Sequence, residues 1–439
     1  MDIKDLILTP IYLLVLFFFL NNYKNKIEDS RLKRYFLPAV YFKVLGALGL
    51  GLVYQFYYGG GDTYNFFRDS QIIWNTFLEN PWTAVRIVFA PAAVYEGDLY
   101  AYTRYIYYFQ DPQTYNVIRV SGFLGFFTFH TYSLIAVGFA MISFSGMWAL
   151  YKVFYHLYPR LHRQAAISVF FVPSVFFWGS GLMKDSLTLG ALGWLLYGVY
   201  FAVFERKSIL LNSLIIIICV LIIQAIKIYI LQVFIPTVLL WIFLSFRNQI
   251  RSRALRWILL PILLLGALPL GFWAIQRISA ENKLYNLQEL SQTTKTTAEW
   301  LRYVAQSQGG SAYDLGEFDG TVQNTLSKFP QATWLGLFRP YLFEARNPLM
   351  LLSALETTFF LYLFFYIITR RRIYTIGDVF LKEPFLVFAL GFSVLFAFAV
   401  AVASSNFGTL VRYKIPFIPF FIFMLYVLKY RLTGKRGLY

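Results

Sequence analysis

Residues 210–246 read LLNSLIIIICVLIIQAIKIYILQVFIPTVLLWIFLSF, and Lys227 is the only charged side chain among them. One straight helix of that length would run about 55 Å, nearly twice the ~30 Å hydrocarbon thickness of a bilayer. A water-soluble domain has no place for it, because a surface helix needs a polar face. The stretch therefore reads as two membrane-spanning helices, residues 210–225 and 229–246, with Lys227 at the turn between them. Arg206 and Lys207 precede the pair, and Arg247, Arg251, Arg253 and Arg256 follow it. Short basic loops face the cytoplasm, which puts the Lys227 turn on the outer side.

The whole chain fits the same solvent. Of 439 residues, 58% are hydrophobic, 21% aromatic and only 14% charged, where soluble domains carry about 25% charged residues. The net charge of +17 comes from basic residues clustered in short loops. No basic, aromatic-interleaved module accompanies them, so nucleic acid is not an expected partner. A single cysteine excludes an intrachain disulfide or a thiolate metal site, and His130, His156 and His162 lack metal-ligand spacing. The first residues lack the basic start and small-residue cleavage site of a signal peptide, so the apolar run 6–20 reads as a retained helix.

Working outward from 210–246, hydropathy places further spans at residues 6–20, 35–57, 131–155, 165–178, 187–204, 257–275, 349–368, 384–403 and 415–428. Loops assigned inside carry Lys24, Lys26, Arg31, Lys33 and Arg34, then Arg160 and Arg163, then Arg370, Arg371 and Arg372. Most acidic residues fall in loops assigned outside. The expected fold class is all-α: a polytopic transmembrane helix bundle of about eleven spans, forming one integral membrane domain over residues 1–439. Its N-terminus lies outside and its C-terminus in the cytoplasm, as in a bacterial-type inner membrane. Two large outer loops are expected, at residues 58–130 and 277–348.

Four constellations could carry chemistry. The first is Gly59-Gly60-Gly61-Asp62, followed by a helical pattern over 63–80. Phe66, Phe67, Ile73, Trp74, Phe77 and Leu78 give it an apolar side, and Arg68, Asp69, Gln71 and Asn75 a polar one, the pattern of an interfacial helix. Asp62 suits a helix cap or a base, and one carboxylate can serve as both. The second is Pro173-Ser174 with Gly179-Ser180-Gly181 and Lys184-Asp185; two lysines at one depth, Lys184 and Lys227, suit a phosphate. An interfacial ion pair and snorkelling lysines are the plainer alternatives. The third is Arg339, Glu344 and Arg346, with Glu356 about two turns inside the next span. The fourth is Arg412-Tyr413 ahead of Pro416 and Pro419, where the arginine suits either a phosphate or a headgroup anchor. All four are expected on one side of the membrane, and none contains a metal-ligand cluster. Such an inventory fits an anionic, lipid-linked substrate.

In order and sidedness these pieces resemble the GT-C superfamily of polytopic glycosyltransferases, which use polyprenyl-phosphate-linked sugars. GGGDTYNFFRDSQIIWNTFLENPW (59–82) is similar to their acidic first outer loop, VPSVFFWGSGLMKDSLTLGALGWL (172–195) to their proline-led helix, and RYKIPFIPF (412–420) to their Arg-Tyr ending. The chain departs from the pattern in an extra leading helix and in Gly-Asp-Thr where many relatives have paired acids; use of a divalent metal therefore stays open. The resemblance implies Asp62 as the base that deprotonates an acceptor hydroxyl, with Asp69 and Asp185 as second-choice carboxylates. It implies Lys184, Lys227, Arg339, Arg346 and Arg412 as phosphate holders, with Glu344 and Tyr413 beside them. The implied partners are a lipid-linked sugar donor and membrane lipids; oligomeric state is left undecided. A weaker similarity to O-antigen polymerases would shift the burden to Arg339 and Arg346. A transporter would use ionisable residues within the bilayer, here Lys43, Glu356 and Lys152.

Overall fold

A computed structural model describes residues 2–249, 313–316, 322–370, 373–404 and 406–433. Among them the protein is all-α, without a strand. Among the described residues, seven helices are long and apolar enough to cross a membrane, or eight if one bent pair counts as a span. It is an integral membrane protein with the expected polytopic helical architecture. The difference from eleven has three sources. The span expected at 165–178 is broken by Pro173 into helix α8 (His162–Phe170) and helix α9 (Pro173–Trp178). The helices expected at 210–225 and 229–246 are both present and part at Lys227, whose φ of −146° and ψ of 74° are not helical, but they count once here as the single stretch α11 (Ile209–Phe246). The span expected at 257–275 lies outside the described residues, as does most of the loop expected at 277–348.

The chain divides into two compact units: Met1–His162, Val169–Phe171 and Val175–Lys227 in the first, and Arg163–Ser168, Val172–Ser174 and Ile228–Tyr439 in the second. The first unit opens with α1 (Ile3–Asn25), whose start is fixed by a reciprocal capping box between Asp2 and Asp5. Next comes α2 (Ser30–Leu52), capped by Asp29 and continued by a π-helical turn, Val53–Tyr57. The first large loop is itself mostly helical: α3 (Asp62–Glu79), α4 (Pro81–Phe89), α5 (Tyr100–Thr103) and α6 (Pro112–Thr128). Asp111 caps α6 and Pro112 takes the first helical position, where a missing N–H costs nothing.

At the centre of this unit, α7 (Tyr132–Leu157) meets α10 (Lys184–Val199) backbone to backbone. A Cβ on Gly146 would overlap the Gly190 carbonyl, and one on Gly193 would overlap the Gly146 carbonyl. Small residues of this kind let membrane helices approach where no hydrophobic gain drives them together.

In the second unit, α12 (Val322–Ser327) and α13 (Phe329–Phe338) precede α14 (Pro348–Arg370), α15 (Ile373–Lys382) and α16 (Pro384–Ala403). The bent pair α17 (Phe407–Tyr413) and α18 (Ile418–Thr433) ends it. Gly336 of α13 abuts the Ala397 carbonyl of α16. The core is aromatic: Phe388 and Phe392 of α16 lie edge-on to Phe234 of α11 and to Phe420 of α18, 5.1–5.8 Å between centroids.

Candidate functional site

Three successive glycines lead into α3 with φ of 67°, 134° and 125°. Side chains rarely adopt such angles, so the sharp turn at the end of α2 requires glycine. Gly61 is the N-cap and makes no side-chain cap bond. Asp62 thus does not cap the helix; it stands half-buried in the first turn, where a negative charge is favoured by the exposed N–H groups. The helix expected at 63–80 is present, with Phe66 and Ile73 buried and Arg68, Gln71 and Asn75 exposed as expected; Leu78, which is exposed, and Asp69 depart from that pattern. Asp69 was assigned to the polar side and is in fact buried with Phe66, Ser70 and Ile73. Its carboxylate accepts the Tyr108 N–H at 2.9 Å, and burial, opposed by hydrogen bonds from the Tyr108 and Tyr107 amides, pushes its pKa up. Asp69 therefore pins the loop before α6.

That loop returns to Asp62. Burial first, opposed by a hydrogen bond with Asn65 and reinforced by the charge of Asp62, raises the Tyr108 phenol above its ordinary range. Three residues on, Asp111 caps α6 and lies 3.9 Å from Lys184 Nζ. The next residue, Asp185, holds Lys227 Nζ at 2.9 Å, with both side chains 2% exposed. Asp62, Asp111–Lys184 and Asp185–Lys227 thus follow one another along one end of the first unit. The sequence had singled out four of the five. Asp111 and Tyr108 were missed as site residues, though the Asp111-Pro112 pair carries the signature of a helix start.

The first unit also holds an apolar groove of about 820 Å³ among α4, α6, α7, α10 and α11. Leu187 and Ile226 line it, each next but one or next in sequence to a member of the Asp185–Lys227 pair. Arg119, Asn116 and Ser145 are its polar exceptions. Arg119 donates to Asn116 Oδ1 at 2.8 Å and to the Ala90 carbonyl, lies 4.6 Å over the Tyr115 ring, and has a buried Nε with no partner. Asn116 Nδ2 donates to the Ala225 carbonyl at 3.1 Å. No sequence signal marked these two.

The second unit gathers the other two constellations. Arg339 makes a two-pronged ion pair with Glu344, which also accepts the Tyr341 N–H at 2.8 Å. The Arg339 guanidinium lies 5.0 Å over the Phe407 ring, and its carbonyl accepts from Lys414 Nζ at 3.1 Å. Buried Glu356 accepts from Ser174 N at 2.9 Å and Ser174 Oγ at 2.7 Å. Ser174 thus joins the third constellation rather than Lys184. Arg412 and Tyr413 are half-buried on α17, while Arg346 is exposed.

Among the described residues, no group of three or more His, Cys, Asp or Glu side chains is placed to hold a metal ion. His156 bonds Tyr200, His162 bonds Tyr35, and His130 bonds Ser70, so the histidines act separately. No family model, no curated protein and no solved structure matches the chain.

Proposed function

We propose that the protein is a membrane glycosyltransferase that moves a sugar from a polyprenyl-phosphate-type donor to an acceptor on the outer face of the membrane. The observation that carries this reading is an apolar groove whose lining residues Leu187 and Ile226 stand within two residues, along the chain, of the buried Asp185–Lys227 pair, with Lys184 beside it and Asp111 3.9 Å from Lys184. Apolar walls with few polar groups suit a hydrocarbon chain, and Arg119 with Lys184 offers donors to an anionic head. In this reading Asp62 Oδ takes the proton of the acceptor hydroxyl. The freed oxygen attacks the anomeric carbon, the carbon–oxygen bond to phosphate breaks, and polyprenyl phosphate leaves with the electron pair. The anomeric configuration inverts. Lys184 stabilises charge growing on the leaving phosphate. Lys227, held by buried Asp185, acts by fixing the end of α10 on which Lys184 sits. Asp69 acts as a loop anchor. With basic loops inside, the N-terminus faces outward and the C-terminus the cytoplasm.

A second reading, a polysaccharide polymerase, draws on Arg346, which is exposed and makes no hydrogen bond or ion pair among the described residues. Carrier release from radiolabelled polyprenyl-phosphate and polyprenyl-pyrophosphate sugars, followed with the protein in nanodiscs, separates the two. Release that collapses in Asp62→Asn with the fold intact supports glycosyl transfer with Asp62 as base. Release that survives Asp62→Asn and fails in Arg346→Ala moves the chemistry to the second unit. No release from any donor sinks both.

A further inference from the structure

Between α4 and α6 the chain carries an unusual run: VYEGDLYAYTRYIYYF, residues 94–109. Leu99, Ile106 and Phe109 are buried, whereas Tyr107 is 79% exposed, Tyr105 62%, Tyr100 48% and Tyr95 41%. The backbone beneath these rings is tied down at several points. Ala93 N bonds the Phe109 carbonyl at 2.9 Å, Tyr108 N bonds Asp69, Tyr115 OH bonds the Ile87 carbonyl at 2.6 Å, and Arg86 pairs with Asp98. The rings also brace one another: Tyr95 meets Tyr100 edge-on at 5.4 Å, Tyr107 meets Tyr108 edge-on at 4.8 Å, and Arg104 lies 4.6 Å over Tyr105. Large rings held outward on an anchored backbone have already paid their ordering entropy, as at recognition surfaces rich in tyrosine.

We propose that this tyrosine surface binds a saccharide chain, with Tyr107 as its central ring. A pyranose offers a patch of C–H groups to an aromatic face and hydroxyls around its edge. Tyr107 and Tyr105 supply the faces; Glu96, Asp98, Arg104 and Gln110 supply acceptors and donors at the rim. Glu96 and Asp98 are balanced by Arg86, which pairs with both, and by Arg104, so the surface carries no excess positive charge of the kind that draws anionic lipid. Aromatic rings, rather than aliphatic side chains, fit a ligand that presents a flat patch of C–H groups on one side and hydroxyls around it. The surface is also placed for use. Tyr108 joins the Tyr107 ring to the Asn65 side chain, which stands one helical turn along α3 from Asp62. The inference deepens the glycosyl-transfer reading, on which it rests for calling the saccharide an acceptor; binding itself does not depend on that reading.

The test titrates full-length protein in nanodiscs with neutral hexose and N-acetylhexosamine tetrasaccharides, followed by saturation-transfer NMR. At least one should bind. Tyr107→Ala should raise its Kd about tenfold or more, the loss of one good aromatic contact. Tyr107→Phe, which keeps the stacking face, should bind like wild type, and so should Tyr23→Ala, an exposed tyrosine on α1. Unchanged melting of each variant establishes that the fold survives. The proposal is overturned if no tetrasaccharide binds, or if Tyr107→Ala binds as wild type does. It is also overturned if a nitroxide at Tyr107→Cys, in a Cys219→Ala background, collides with oxygen more than with a water-soluble nickel complex, which places the ring in lipid. No lipid donor is present in the titration. Binding together with failed donor cleavage therefore keeps the saccharide surface and removes only its acceptor role.

Discussion

The two units bury charge in different ways. In the first, Asp185 and Lys227 meet directly at 2.9 Å, each almost sealed from solvent. In the second, Glu356 and Lys414 are just as buried but do not close to ion-pair distance. Two donors from Ser174 meet the carboxylate, and the Arg339 carbonyl meets the ammonium. A contact pair fixes the geometry of both partners, and removing one leaves a buried charge without its nearest counter-charge. Charges met by dipoles are individually satisfied, so the loss of one donor leaves others in place.

The largest expected effect breaks the contact pair. Asp185→Ala leaves Lys227 buried without its 2.9 Å partner and should cost about 3–5 kcal/mol. The double variant Asp185→Leu with Lys227→Met should recover most of that, because apolar replacements of similar volume often match a buried pair. Equilibrium unfolding in detergent micelles measures both. A single variant no worse than the double would show that the pair does not act as a contact.

A third way to bury a titratable group is to give up its charge. His130, stacked on Phe67 at 4.2 Å and bonded to Ser70, has its pKa lowered to about 4, chiefly by burial and then by the charge of Lys4. Its folded pKa lies below the unfolded value near 6.5, so the unfolded state binds the proton more readily. Stability should be fully present above about pH 6.5 and fall by up to about 3 kcal/mol as pH drops toward 4. Melting midpoints of wild type and His130→Asn across pH 4–7 test this. If the two curves keep the same slope, the imidazole is not the group responsible.

These contrasts mark what a sequence can disclose. Spans such as 384–403 were legible to the residue, because hydropathy against lipid depends on each segment alone. The break at Lys227 was legible for the same reason, a lone charge in an apolar run. The place of Asp69 was not. Its helix was read by counting apolar side chains, but a carboxylate belongs on a buried face when backbone N–H groups from 39 residues away are aimed at it. Nor was the Lys184–Asp111 approach legible, or the move of Ser174 to Glu356, since each depends on how distant helices pack. Asp62 was legible as unusual, from its three glycines, yet its relation to Tyr108 was not.

In the second unit the corresponding change is milder. Ser174→Ala removes one donor to Glu356 and keeps the backbone N–H at 2.9 Å. It should cost about 1–2 kcal/mol, well below Asp185→Ala. A loss as large as that of Asp185→Ala would mean the hydroxyl carries the carboxylate alone, and the distinction between the two units would fail.

The smallest expected effect concerns groups that carry no charge. Most of α1 turns outward, with Leu6, Leu14, Phe18 and Phe19 exposed along its length. In a bilayer those side chains gain little by moving from lipid to protein, so packing and polar contacts must hold the helix. The polar ones cluster at one end: Asp5 accepts the Ser133 N–H at 2.8 Å, Thr9 bonds Ser133, and Tyr12 donates to the Phe127 carbonyl at 2.9 Å. Thr9→Val keeps the shape and removes one hydrogen bond, worth about 1 kcal/mol. That should leave the global midpoint where it is and speed amide deuterium exchange in the first turns of α1 about fivefold, because the helix opens locally before the unit unfolds. A fall in the global midpoint instead would place α1 in the same cooperative unit as the Asp185–Lys227 pair. The neutral contacts at Ser133 would then rank with the buried charges in holding the first unit together.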